Sequence, residues 1–320
     1  MSIPAHATLA DVGEFGLIGA LAERFPQGEH VLLGPGDDAA VVAFPDGRVV
    51  VSTDLLVEGR HFRRDWADAA DIGHRVAAAN LSDVNAMGGR ARALTVGLAA
   101  PPDLPVAWAL ELADGIAAEC ALVGASVVGG DLTSADQVMV AVTVLGQVAG
   151  EPVRRSGARP GDVAAIAGRQ GWAAGGLAVL ARGFRSPRKL VDAYKRPEPP
   201  YAAGPQAAAL GATSMIDVSD GLLADVGHLA TASGVSFDVH TSAFEVAEPL
   251  QAVGAALGAD PMRFILAGGD DHALVATFPA GALLPDGWHA FGSVSEAGGE
   301  GPVVTVDGAP YDGPTGHTHF

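Results

Sequence analysis

The stretch LLGPGDDAAVV, residues 32–42, sets two adjacent aspartates, Asp37 and Asp38, in a glycine-rich loop between apolar runs. Like charges that close repel, and one tends to stay protonated unless a partner neutralises it. A solvated turn tolerates such a pair; a metal ion requires it. The same arrangement, an acid directly after an apolar, strand-like run, returns along the chain. Asp54 ends VVVSTD, Asp131 ends VVGGD, Asp217 and Asp220 sit in MIDVSDG, and Asp270 and Asp271 follow LAGG. Asp83 lies inside the helical pattern AANLSDVNAMG, where Asn80, Asp83 and Met87 share one stripe by i+3 and i+4 spacing.

Open α/β sheets place their sites at strand ends, and glycine lets backbone approach a ligand closely. Carboxylates converging there need cations. Hard oxygen donors suit Mg2+, which takes one or two carboxylates per ion and keeps water and phosphate oxygens as its other ligands. Several Mg2+ ions sharing phosphate oxygens would use the whole set, which implies a polyphosphate substrate. Taken singly, each acid has a plainer account. GDD is a common turn, Ser219 or Asp220 is an N-cap for a helix starting near 221, and Asp83 is a solvated helix position. Their conjunction is what points to a metal–phosphate site.

The bulk numbers agree with a soluble enzyme. The chain has 320 residues, enough for two domains or one large one. With 19 basic against 37 acidic residues the net charge is −18, so the basic face of a nucleic-acid binder is missing, and an anionic membrane is a poor partner. The single cysteine, Cys120, excludes an internal disulfide and a cysteine-based zinc site. No basic start followed by an apolar run marks a leader, and no apolar stretch is long enough to span a bilayer. A cytoplasmic location is the expectation.

Alternation and turn residues predict strands at 31–33, 39–44 and 48–53, a helix over 71–87, a strand ALTVGLAA, a helix over 106–122, and strands ASVVGGD and QVMVAVTVLGQV. The turn-rich GEPVRRSGARPGD predicts a boundary near 150, giving domains 1–149 and 150–320. Beyond it come a strand VAAIAG, a helix AAGGLAVLARG, a strand running into a helix over SMIDVSDGLLADVGHLATASG, a strand VSFDVH and a helix over 249–258. FILAGGDDHALVATF reads as strand–turn–strand, and residues 182–200, basic and proline-rich, read as a solvated linker. Strands and helices mix in both halves, so the fold class is α/β or α+β.

GPGDDA nearly matches a dinucleotide fingerprint, but two carboxylates stand where pyrophosphate would sit and a strand follows instead of a helix. No P-loop and no HExxH occurs. His61, in VEGRHF, is either a surface histidine or a substrate contact.

GEFGLI, GPGDDAAVV, VVSTDLLVEGRHF, NLSDVNAMG, VVGGDLT, RRSGARPGDV, IDVSDGLLADVGHLA and LAGGDDHAL, in that order, resemble the thiamine-monophosphate kinase family over nearly the whole chain. Its superfamily includes aminoimidazole ribonucleotide synthetase, selenophosphate synthetase and a hydrogenase maturation factor. The resemblance implies a two-domain aminoimidazole ribonucleotide synthetase-like fold, with the N-terminal sheets of two subunits closing a barrel across a homodimer. It implies ATP and thiamine monophosphate bound in clefts between the domains. The implied Mg2+ ligands are Asp38, Ser52, Thr53, Asp54, Asp83, Asp131, Asp217 and Asp220. Implied nucleotide contacts are Gly130, Asp131, Arg155 and Ser219, and implied substrate contacts are His61, Asp270 and His317. Asp270 stands where the family has glutamate, and His317 where it has an aromatic residue.

The implied reaction moves the γ-phosphoryl group of ATP onto the phosphate of thiamine monophosphate. A phosphate monoester, with its second pKa near ~6, is mostly ionised at neutral pH and needs no general base. Charge stabilisation is the task, assigned to Mg2+, to Asp54 and Asp131 through it, and to Arg155. A non-catalytic nucleotide- or metal-sensing relative and another ATP-dependent enzyme of the superfamily are the alternatives. Selenophosphate synthetase would show an N-terminal cysteine and the maturation factor a C-terminal one, and neither is present.

Overall fold

The computed structural model describes residues 7–34, 40–45 and 47–317, apart from the side chains of Glu14 and Phe15. The chain divides into two units, Met1–Val84 with Arg90–Val148, and Asn85–Gly89 with Ala149–Phe320.

The first unit opens with α1, Leu9–Ala22, started by a capping box in which Thr8 accepts from Asp11 N and the Asp11 carboxylate accepts from Thr8 N. β1 (Val31–Leu33) and β2 (Val41–Val42) form a short antiparallel pair. Then come β3 (Val50–Val57), α2 (Ala69–Ala86), β4 (Gly89–Ala100), α3 (Val106–Val123), β5 (Ser126–Ser134) and β6 (Met139–Val148). The four-stranded sheet has the order β3-β6-β4-β5, with β3 antiparallel to β6 and β4 parallel to β5. On β6, Val140, Val142 and Val144 point inward at every second position and are fully buried. α3 covers the core with Val106, Ala109, Leu112, Ala113 and Ile116, and ends at Gly124 in the left-handed conformation. Cys120 lies on the same buried face, where burial pushes its thiol up to about 12.

The second unit holds β7 (Val163–Ala167), α4 (Trp172–Leu180), α5 (Arg188–Lys195), α6 (Ala203–Ala209), β8 (Ser214–Asp217), α7 (Leu222–Ser233), β9 (Val235–Val239), α8 (Glu248–Leu257), α9 (Met262–Ala267), β10 (Leu274–Phe278), β11 (Trp288–Glu296), β12 (Val304–Val306) and β13 (Ala309–Pro310). Its seven-stranded sheet runs β13-β12-β9-β11-β7-β10-β8 and is antiparallel except where β12 joins β9. Central strands are covered on both faces. Ile166, Ile216 and Val275 pack with Leu222, Val226 and Leu229 of α7, while Ala165, Met215, Leu274 and Phe278 pack with Ala203 and Ala207 of α6. That is why every residue of LVATF is buried, its one polar member, Thr277, with its hydroxyl bonded to Thr213 and Ser214.

The expected α/β class holds, and two local expectations fail. Residues 264–267 belong to α9, a helix whose Ile265 and Leu266 are buried, and not to a strand. A four-residue apolar run has no period of its own, and packing decides it. Residues 182–200 are more than a linker. α5 buries Leu190, Val191, Ala193 and Tyr194 and turns its charged positions outward, giving a narrow apolar face the prolines had hidden.

Candidate active site

Within the first unit, β3 and α2 are clasped by side chains. Ser52 and Asp54 fall on one face of β3 by the two-residue period. Ser52 Oγ donates to Asp83 Oδ2 at 2.6 Å, and Asp54 N donates to Asn80 Oδ1 at 3.2 Å. Asn80 is fully buried and is itself tied to Val76 O, so the amide is fixed before it receives Asp54. Thr53 points to the other face, where its hydroxyl meets Thr143 Oγ1 at 2.9 Å. Past the end of β3, His61 Nδ1 accepts from Val57 N at 3.0 Å. A backbone N–H can only donate, so the neutral ring carries its proton on Nε2.

Gly130 and Asp131 lie on β5, opposite Val96 and Gly97. A Cβ at Gly130 would stand 1.9 Å from Val96 O, so only glycine permits this strand pairing. Both residues line a cavity of about 1390 Å³ walled also by Phe25, Leu112, Ile116 and Val128. β3 and β5 are the two edges of the sheet. The Ser52–Asp54–Asp83 group and the Gly130–Asp131 pair are therefore separated by the width of the sheet within this unit.

Within the second unit, the loop after β8 gathers most of the expected residues. Asp217, at the end of β8, is buried and meets His272 Nδ1 at 3.0 Å through Oδ2. Ser219 and Asp220 follow, and their carbonyls are used: Asp270 N donates to Ser219 O and His317 N to Asp220 O, both at 3.0 Å. Asp270 and His272 both have positive φ, 66° and 52°. Aspartate and histidine tolerate that region better than most side chains. Gly269 supplies the close approach, since a Cβ there would stand 1.9 Å from Ser219 O.

Arg155 is placed differently. Arg154 O accepts from Met215 N and Arg155 O accepts from Ser233 Oγ, which sets it by the start of β8, with Asp217 at the strand's other end. Its side chain is exposed. Asp38 lies outside the described residues.

Asp225 and Gln170 escaped the sequence reading, and Asp271 was read there only as one of the strand-end acids. Asp225, on α7, accepts from the backbone N–H groups of Ser219, Asp220 and Gly221, each at 3.1 Å. Burial pushes its carboxyl up to about 7; the bonds from Gly221 and Asp220 oppose the rise, and the charges of Asp217 and Asp220 add to it. Asp271 accepts from Ala173 N at 2.9 Å at the start of α4, and burial pushes it too up to about 7. Gln170 donates to Ile265 O and Gly268 O, fixing the loop before Asp270. The spacing in SDGLLAD, an acid one helical turn past a Ser-Asp-Gly corner, is the one signal that could have exposed Asp225.

The donors present suit a hard divalent cation. Ser52 Oγ and Asp83 Oδ2 are oxygen donors in contact, and Asp54 follows two positions on, on the same face of β3. Asp220, Asp225 and His228 offer ligand atoms within 4.8 Å of one another.

Residues 36–148 match the family model for AIR synthase related protein, N-terminal domain. A thiamine-monophosphate kinase of Mycobacterium tuberculosis (strain CDC 1551 / Oshkosh) is 46% identical over 316 residues, covering 98% of this chain and 93% of the relative. One from Corynebacterium glutamicum is 39% identical, covering 94% and 91%. Among solved structures, AaThiL complexed with AMPPCP and TMP superposes with a TM-score of 0.79 at 30% identity, covering 98% of this chain and 99% of that one. Hydrogenase maturation protein HypE shares the fold, with a TM-score of 0.71 at 18% identity. The identity and full-length coverage of these relatives place the chain in the thiamine-monophosphate kinase family.

Proposed function

We propose that this chain transfers the γ-phosphoryl group of ATP to the phosphate of thiamine monophosphate, giving thiamine diphosphate and ADP. The observation that carries the reading is the likeness, over 98% of the chain, to a structure holding an ATP analogue and TMP. The last step of thiamine diphosphate synthesis would follow, in the cytoplasm, where ATP is supplied.

In the first unit, the backbone of Gly130, on the wall of the cavity it lines with Asp131, would meet a phosphate of the nucleotide. His61 donates from Nε2 to the acceptor phosphate while its Nδ1 is held by Val57 N. In the second unit, Ser219 contacts the nucleotide and Asp270 and His317 contact the thiamine moiety. Arg155 balances charge on the transferring group. In the first unit Asp38, Ser52, Asp54 and Asp83 would hold Mg2+ beside β3, with Thr53 of the same strand able to add its backbone oxygen, and Asp131 would hold an ion at the β5 edge; in the second unit Asp217 and Asp220 would do so. The bound ions supply charge neutralisation between the two phosphates. No side chain needs to take a proton, because the acceptor phosphate is already ionised.

A homodimer completes the proposal. Val51 and Leu55 are 62% and 47% exposed on the edge strand β3, and Leu32, Leu33 and Val41 on β1 and β2 are exposed too. An apolar sheet edge needs covering, and a barrel closed with a second copy supplies it. No helix among the described residues is long and apolar enough to cross a membrane.

The test is ADP release with and without thiamine monophosphate at saturating Mg2+, with thiamine diphosphate identified as product. ADP release that ignores thiamine monophosphate would remove the kinase reading.

A further inference from the structure

The loop 218–221 has its N–H groups and its carbonyls turned to different tasks. The N–H groups of Ser219, Asp220 and Gly221 converge on one oxygen, Asp225 Oδ2, each at 3.1 Å. The carbonyls of Val218, Ser219 and Asp220 accept from His272 N, Asp270 N and His317 N at 3.2, 3.0 and 3.0 Å. Every candidate ligand contact of this unit except Arg155 and Asp217 is therefore carried by this loop or hung from its carbonyls. Asp217 is the residue before it and meets His272.

Three consecutive N–H groups that converge on one point, ahead of a helix, call for one acceptor there. Without an acceptor they would be left unsatisfied, a cost of about 1–3 kcal/mol each where buried. Asp225 is 2% exposed and is fixed on α7 between Leu222, Leu223 and Val226, all buried. Its place on the helix is set by the core.

We propose that Asp225 is a positioning residue: through three backbone N–H groups it holds the loop that aims Ser219, Asp220, Asp270 and His317 before either substrate arrives. The roles of those four residues rest on the functional reading above. Preorganisation of this kind acts on affinity, because loop ordering is no longer subtracted from the binding energy.

The test compares wild-type, Asp225→Ala and Asp225→Asn proteins. Calorimetry measures binding of Mg2+ with AMPPCP, steady-state kinetics measures KM for thiamine monophosphate, and Tm serves as the fold control. In folded Asp225→Ala both constants are expected to weaken at least about ten-fold, as losses of supporting contacts do. Asp225→Asn keeps an acceptor oxygen and is expected to recover most of that loss. Wild-type affinities in a folded but less stable Asp225→Ala overturn the proposal, since that is what a purely structural residue would give. If Asp225→Ala does not fold, hydrogen exchange on the wild-type protein decides. Amides 219–221 protected like those of β8 in the ligand-free protein support it; fast exchange that slows only on adding AMPPCP overturns it. Exchange and AMPPCP binding do not depend on thiamine phosphorylation. A wild-type protein that makes no thiamine diphosphate overturns the functional reading alone.

Discussion

Ser52 Oγ donates to Asp83 Oδ2 at 2.6 Å, which ties β3 to the last turn of α2. The bond fixes the carboxylate's rotation. Asp83→Asn is expected to lower kcat about 100-fold or more and to raise the Mg2+ concentration needed for half-maximal rate. Ser52→Ala, which frees the carboxylate without removing it, is expected to cost only about ten-fold. Tm should stay within a few degrees for both, because neither side chain belongs to the apolar core. Steady-state rates across a Mg2+ titration check the order of the two variants.

On the proposed site assignment, substitutions at Gly130 and Gly269 are expected to act on different substrates. A methyl at either would stand 1.9 Å from a backbone oxygen, that of Val96 or Ser219. Backbone must move in each case, at a cost of about 1–3 kcal/mol. Gly130→Ala is expected to raise KM for ATP most, and Gly269→Ala KM for thiamine monophosphate most. Equal shifts of both constants in both variants would contradict the assignment of β5 to nucleotide and of the 268–272 turn to acceptor.

What could be read in advance follows from range. The strand-end acids were legible because each signal is local: an apolar run, a glycine, a carboxylate. β3, α2, β5 and the β8–α7 corner all stand where those runs predict. The α9 segment was misread because Phe264–Ala267 is too short to carry a period, and Gly268 ends it as a helix cap would as readily as a strand turn. Asp225 and Gln170 were missed for a different reason. Their partners are backbone atoms, in Gln170's case the carbonyls of Ile265 in α9 and of Gly268 at its end, and backbone atoms leave no mark in a sequence. The relation of Ser52 to Asp83 was likewise invisible, since a 2.6 Å contact across thirty-one positions has no spacing rule.

Asp271 makes stability depend on pH. It is 4% exposed, one oxygen accepts from Ala173 N, and Oδ2 is buried with no hydrogen-bond partner among the described residues. Burial pushes its carboxyl from 3.8 up to about 7, so the folded state binds this proton more tightly than the unfolded one. A raised folded value means the stabilisation is complete below about pH 4 and is lost as pH rises through about 7. Asp271→Asn mimics the protonated form and keeps an acceptor for Ala173 N. Its Tm is therefore expected to gain on wild-type by a few degrees as pH goes from about 5 to about 8. Parallel melting curves at all pH values would show that Asp271 is ionised throughout.

His61 should tell substrate binding from chemistry. Because Val57 N donates to Nδ1 at 3.0 Å, the ring offers a hydrogen only from Nε2, and it does so uncharged. A neutral donor to a phosphate contributes to binding in the ground state and transition state alike, which raises KM when lost and leaves kcat nearly unchanged. His61→Ala is thus expected to raise KM for thiamine monophosphate about ten-fold, in line with about 1.4 kcal/mol for one such hydrogen bond. His61→Gln places an amide N–H near the Nε2 position and should lose much less, whereas a residue needed for its positive charge would be rescued by neither. Steady-state kinetics on the two variants, with ATP saturating, decides between them: a fall in kcat at constant KM would move His61 from holding the acceptor to stabilising the transfer itself.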